Sequence, residues 1–227
     1  MNIRNCIKTL CLVVLCIVSI LFSACFHVSE QKGEPISTWN FGTNVASSIE
    51  EVDANTVNGS ITVTGNTGSE ATVEMFVSRN IFNFRRWSDE EIKQELEKSF
   101  TIDVKVEGER LLAVARPKTN RQKFNISFKI TVPKQVNSSL RITNGSISID
   151  NLSGSQNLRI TNGSLKIENV SGDITGTTTN GSIEATNSNG KITLKTTNGN
   201  INISDVSGVI STKTTNGKVK EHNVNRE

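Results

Sequence analysis

Tyrosine is absent from this chain, and histidine occurs twice, at His27 and His222. With no paired imidazoles and no cysteine cluster, spacing assembles no transition-metal ligand set. A Ser-His-Asp arrangement would depend on His222, and no serine carries the signature of an activated nucleophile. Cysteine is almost as scarce: Cys6, Cys11 and Cys16 lie within the first 24 residues, leaving only Cys25 beyond them. A single thiol forms no internal disulfide. Aromatic residues stop at Phe128, so whatever folds after it has a thin core of Ile, Leu, Val and Thr. An excess of one charge is missing too. The 25 basic residues face 22 acidic ones, and loss of Arg4 and Lys8 with a cleaved leader leaves 23 against 22. That balance gives nucleic-acid binding no support.

Long apolar runs are limited to one. Arg4 and Lys8 form a basic start, Ile7 to Phe22 is apolar, and Ser23-Ala24-Cys25 closes the stretch. A spanning helix needs about 20 apolar residues. This run is shorter and ends in small residues, so 1–24 reads as a secretory signal. The tail LFSAC resembles the bacterial lipoprotein processing box, with Phe22 where that box most often has leucine. The resemblance implies that Cys25 becomes the first mature residue and is lipidated, attaching the protein to a membrane. The alternative is an uncleaved signal anchor. Phe26 instead of aspartate after the cysteine implies outer-membrane sorting in a cell with two membranes. Residues 25–38, rich in polar residues, Gly and Pro, read as a tether, and 39–227 as one folded domain.

What the chain does have is glycine at a fixed beat. From Asn144 to Val224 a nine-residue repeat is written nine times without insertion or deletion, beginning NGSISIDNL, SGSQNLRIT, NGSLKIENV. Glycine holds the second place of every block, which marks a regular backbone corner. Alternate blocks resemble each other most: RITNGS recurs at Arg141 and Arg159, while the intervening corners read NLSG, NVSG and DVSG. Two distinguishable nonamers make one unit, the signature of a solenoid coil with two strands and two corners.

Asn-Gly between alternating residues is also a strong hairpin signal, so a meander is the rival fold. Register argues against it. Apolar residues hold places four, six and nine (Ile147, Ile149, Leu152; Leu165, Ile167, Val170; Ile201, Ile203, Val206). A two-residue hairpin would oppose place four to the polar place eight, whereas parallel stacking sets Leu165 over Ile147 and Asn162 over Asn144. The expected fold is therefore all-β: a parallel β-solenoid of about 18 residues per coil, with regular repeats over 135–224.

An early copy of the repeat stands at Asn58 to Val63, after which the beat breaks. Ser88 and Glu91 form a capping box, Trp87 and Ile92 have the spacing of a hydrophobic staple, and Ile92, Leu96 and Phe100 make one stripe. These predict a single amphipathic helix near 89–99, inside an insertion over 79–100. Period-two alternation then returns at Ile102 to Val106 and at Phe124 to Val132. The aromatic-rich middle is expected to cover one open end of the stack, because solenoid ends need caps. The charged stretch Lys218 to Glu227 blunts the other.

Candidate chemistry is sparse. Calcium-binding nonapeptide rolls need aspartate at a constant place, but Asp150, Asp173 and Asp205 hold three different ones. No metal or other cofactor is expected. Asp150 and Glu168, one coil apart, would stack at about 5 Å, near the separation of a retaining glycosidase pair; two solvated carboxylates is the plainer reading. The asparagines at 144, 162, 180, 198 and 216 read as a hydrogen-bonded ladder or as left-handed turn formers. Arg141, Arg159, Lys195 and Lys213 share one place, with Thr177 between the pairs. Stacked, they form a cationic strip, either for an anionic polymer such as acidic envelope glycan or as gatekeeping charges that keep a solenoid soluble.

The run FKITVPKQVNSSLRITNGSISIDNL with its TNGS and SG corners resembles the bacterial putative adhesin domain family, akin to adhesin-head domains named for a Gly-Ile-Asn motif. The likeness covers about Ile49 to Val224 and rests on repeat style. It implies a parallel β-solenoid at the cell envelope and carries over no functional residues. The function expected is non-enzymatic: a lipid-anchored surface that binds or scaffolds, with envelope glycan or another surface protein as partner. The alternatives are a carbohydrate-acting β-helix enzyme, which would need a groove with clustered Asp, Lys and Arg, and an envelope-stress sensor or decoy for a membrane-active ligand.

Overall fold

The computed structural model describes residues 37–43, 49–79, 88–120 and 122–227, with the backbone alone for 37–43, Arg79 and Asp89. The leader, Cys25, nearly all of the tether and Trp87 of the expected staple lie outside these residues.

The repeat folds as a stack of parallel rungs. Strands β7 (Asn137–Asp150), β8 (Gln156–Asn162), β9 (Leu165–Glu168), β10 (Ser171–Asn180), β11 (Ile183–Asn198), β12 (Ile201–Asn216) and β13 (Val219–Arg226) follow one another with short corners. Every pairing among them is parallel. Leu165 lies beside Ile147, Asn162 beside Asn144, and Ile183 beside both Leu165 and Ile201. A meander is excluded for these strands. Like falls on like because each inward residue then meets its own kind: Ile147, Leu165, Ile183 and Ile201 form one buried column, and Ile149, Ile167, Ala185 and Ile203 the next. The opposite half-rungs contribute Leu140, Leu158 and Leu194, and Ile174 and Ile192. Each buried Ile or Leu contributes about 1.5–3 kcal/mol, so a core two side chains thick suffices without aromatics.

The two corners of a rung differ. At the first, Asn58, Asn144, Asn162, Asn180, Asn198 and Asn216 form an amide ladder, each Nδ2 donating to the Oδ1 of the preceding asparagine at 2.7–2.8 Å. Asn58 ends it by donating to Gln122. Of the two readings of this column the ladder holds. Its left-handed alternative belongs to the other corner, where Asn151, Asn169, Asn187, Asp205 and Asn223 have φ between 49° and 55°. The glycine after each ladder asparagine answers a different need. Gly163 has φ +141°, and a Cβ there would stand 1.6 Å from the carbonyl oxygen of Gly145. The backbones of successive corners touch where a side chain would begin. Inward threonines seal the same corner, Thr178, Thr196 and Thr214 donating to the carbonyls of Gly163, Gly181 and Gly199.

The stack begins before the early repeat copy at Asn58. Strand β2 (Glu51–Asn66) already alternates from its first residue, with Val52, Ala54 and Thr56 buried. These small or polar inward residues leave a weak pattern in sequence. β2 pairs with β7 as the next rung, Asn58 on Asn144 and Gly59 on Gly145, across 86 residues instead of eighteen. The intervening segment holds β3 (Ala71–Arg79), α1 (Asp89–Ser99), β4 (Phe100–Glu107), β5 (Arg110–Pro117) and β6 (Phe124–Pro133). Rather than merely interrupting the stack, it supplies a rung on the far side of β2. β5 runs parallel to the first half of β2 and β6 to the second. Antiparallel strands extend this end: β4 on β5, β3 on β6, and β1 (Ser37–Thr43) on β3. β1 begins inside the stretch read as tether.

Helix α1 spans the range its signals predict. Ser88 Oγ accepts from the Glu91 amide at 3.3 Å, and Glu91 Oε2 from the Ser88 amide at 2.9 Å. Ile92, Leu96 and Phe100 are buried with Phe124 and Phe128 in the one hydrophobic core. Lys123 pairs with Glu95 at 2.7 Å, and Lys118 Nζ donates to the Glu97 carbonyl, tying the helix to the β5–β6 connection. At the other end Glu221 takes the place of Ile203 in its column. Arg226 grips both its oxygens at 2.6 and 2.7 Å, so the last rung carries a charge pair where the rung before it carries isoleucine.

Gly163→Ala is expected to destabilise the protein by more than about 3 kcal/mol in chemical denaturation. Gly108→Ala, at φ +62° with nothing within 4 Å of its Cβ, should cost only about 1 kcal/mol. The Arg226 hydrogen bonds hold the Glu221 carboxyl below its usual range, and the Lys123 hydrogen bond does the same for Glu95. A depressed folded-state pKa gives stability that is present above the unfolded value and lost as pH falls through the folded one. Thermal stability should therefore drop on acidification below about pH 4.5, and the drop should be shallower in Lys123→Met with Arg226→Met.

Candidate functional site

The rungs from β7 onward present two broad faces, and charge divides them. One face is built by the outward residues of the half-rungs that begin at 137, 155, 173, 191 and 209. In the register, Arg141 pairs with Arg159, Arg159 with Thr177, Thr177 with Lys195 and Lys195 with Lys213. The four sequence-predicted cations thus form one column, spaced at about 4.8 Å per rung with one gap. All four are exposed. No described carboxylate lies within ion-pair distance of any of them, whereas Lys105, Arg110, Arg116, Lys123, Lys129, Lys166 and Arg226 each have one. Arg159 Nε only meets Asn157 Oδ1 at 3.4 Å. Like charges at this spacing repel by about 1 kcal/mol per adjacent pair in water, less after screening.

Polar columns missed by the sequence reading flank the cations. Thr143, Thr161, Thr179, Thr197 and Thr215 stand on one side, every one exposed. Ser139, Asn157, Thr175, Thr193 and Ser211 stand on the other and pair in the same register. The threonine column was visible as the ninth place of alternate blocks, but hydroxyls at a repeat position look like ordinary strand surface. Lys191 and Asp173 share a further column, and Glu227 follows Val209 at the end of it, so Asp173 is the single carboxylate within the five half-rungs of this face.

The opposite face mixes signs. Asp150 and Glu168 stack as expected, but each is engaged: Glu168 pairs with Lys166 at 2.9 Å, and Asp150 accepts from Asn169 at 2.8 Å. The Glu168 hydrogen bond holds the Lys166 ammonium above its usual range. The corner carboxylate of Asp205 is held low by hydrogen bonds from Asn223 and Ser204. Toward β13 this face carries a shallow, open depression of about 270 Å³ between Glu184, Asn202, Lys220, Thr186, Ser204 and His222. No group of three His, Cys, Asp or Glu side chains among the described residues is placed to hold a metal ion. Arg141, Arg159, Lys195 and Lys213 are thus brought together on one sheet face, while Cys25 lies outside the described residues.

No protein-family model and no curated protein matches the chain. Among solved structures it is similar to a putative cell adhesion protein from Clostridium sporogenes, with a TM-score of 0.38 at 8% identity over 84% of this chain and 99% of that one. It is similar also to a putative adhesin from Bacteroides fragilis, with a TM-score of 0.39 at 14% identity over 84% and 97%. A putative lipid binding protein from Parabacteroides distasonis matches with a TM-score of 0.26 at 9% identity over 84% and 96%. At such scores the likenesses carry no weight for function; the solved structures this β-rich repeat chain is similar to include putative adhesins.

Proposed function

We propose that the protein is a lipid-anchored, non-enzymatic binding protein of the bacterial envelope, a parallel solenoid of eighteen-residue coils that offers its flat faces as an adhesin-like surface. Cys25 is the acylation point, and the segment up to Ser37 is the tether between lipid and stack. In a cell with two membranes the anchor sits in the outer one.

The observation that supports this reading best is the build of the two faces. Backbone corners and an amide ladder hold every outward side chain at a set place, and the candidate face has no enclosed cleft. Sites that perform chemistry sequester their reacting groups from water; the four cations of the candidate face stand exposed. A rigid array of exposed polar side chains is instead suited to an extended partner, whose many weak contacts add along its length.

Cys25→Ser tests the anchor. The native chain is expected in the membrane pellet, with incorporation of a labelled fatty acid, and Cys25→Ser in the soluble fraction without label. Retention of the variant in the pellet with an uncleaved leader would replace the lipid anchor with a signal anchor.

A further inference from the structure

We infer that the face carrying Arg141, Arg159, Lys195 and Lys213 binds a linear acidic polysaccharide laid along the stacking axis. The inference rests on the surface-binding role proposed above and names its ligand class.

Four observations point to that class. The cations stand in a straight row along the axis, which suits a ligand with one negative charge per monomer better than a compact anion. They lack carboxylate partners among the described residues, as Lys218 and Lys220 do, whereas Lys129, Lys166 and Arg226 each have one. A row that only kept the protein soluble would serve as well neutralised by acids on the next column, as Lys166 is by Glu168. Hydroxyl and amide side chains line both flanks, matching the hydroxyls of sugar rings on either side of a charged backbone. The surroundings also disfavour rival polyanions. No aromatic side chain follows Phe128, so there is no stacking platform for single-stranded nucleic acid. Val209 is the single exposed large apolar residue on this face, too little to anchor it in a bilayer interface.

The test uses the full chain, solubilised in detergent, over immobilised polygalacturonate. Dextran, phosphatidylglycerol vesicles and single-stranded DNA serve as competitors. The native protein should be retained, released by salt, and displaced by soluble polygalacturonate but not by dextran. Replacing all four cations by Gln should weaken retention by about tenfold or more. Lys166→Gln with Lys218→Gln and Lys220→Gln removes three positive charges from the opposite face and should weaken it by less than about twofold. Thr161→Val with Thr197→Val leaves every charge in place and should still weaken polygalacturonate binding measurably. All these side chains are exposed, so unchanged circular dichroism and melting temperature are expected and confirm folding. Equal loss in both charge variants would reduce the effect to net charge and overturn the inference, as would absence of retention. Stronger competition by vesicles or DNA at equal anionic charge would reassign the face to a membrane or a nucleic acid. Detergent-solubilised protein reads this independently of Cys25, so failure of the anchor and failure of the ligand are distinguishable.

Discussion

The structure depends on one close approach, the contact between backbones at the glycine corners. Where Gly163 passes Gly145, no atom beyond the backbone fits. That contact sets the vertical spacing of the rungs and compels parallel stacking in register, because only then does every corner place glycine against glycine. The amide ladder and the inward threonine hydroxyls satisfy the polar groups that such a corner would otherwise strand, and an unpaired buried group costs about 1–3 kcal/mol. Burial of Ile and Leu columns supplies the driving force; the corners decide which arrangement that force selects.

Stacking in register transmits a sequence repeat directly to the surface. A residue type kept at one place of the repeat becomes a straight line on a sheet face, whatever its chemistry. Inside, this yields apolar columns; at the corners, an asparagine ladder. Outside, it aligns four cations that repel one another and gain no described carboxylate. Stability does not account for that row, since each adjacent pair is unfavourable. The ends of the stack are handled by different means. The N-terminal end is broadened by antiparallel strands and helix α1, with Phe124 and Phe128 filling the wider core. The C-terminal end substitutes a charge pair, Glu221 with Arg226, for the isoleucine of the rung before it, and charge at a core place of the last strand discourages further strand addition.

How much of this could be read from residues alone varies with the range of the interaction. Helix α1 was legible to the residue, because the Ser88–Glu91 box and the Ile92, Leu96, Phe100 stripe are local. The pairing of Leu165 with Ile147 was legible because the repeat carries its own register. The start of β2 was not, since Val52, Ala54 and Thr56 present small or polar residues where a strand pattern needs bulk. Nor was the placement of β5 and β6 as a rung beneath β2, which no repeat announces and which joins residues nearly seventy positions apart, as in the Ile61–Phe128 pair. The candidate face shows the same division. The cations were found by their shared place, but their lack of partners was not, because ion pairs ignore spacing: Arg110 reaches Asp53 on another strand at 2.6 Å.

Residues at equal places of the repeat lie one rung apart, including across the insertion between β2 and β7. Spin labels paired between Thr215 and, in turn, Thr161, Thr143 and Val57 measure this directly. Each step should lengthen the distance by about 4.8 Å, although the last step crosses 86 residues and the one before it eighteen. A Val57 label off that line, or Thr143 no farther from Thr215 than Thr161 is, would contradict the stacking and with it the cationic row.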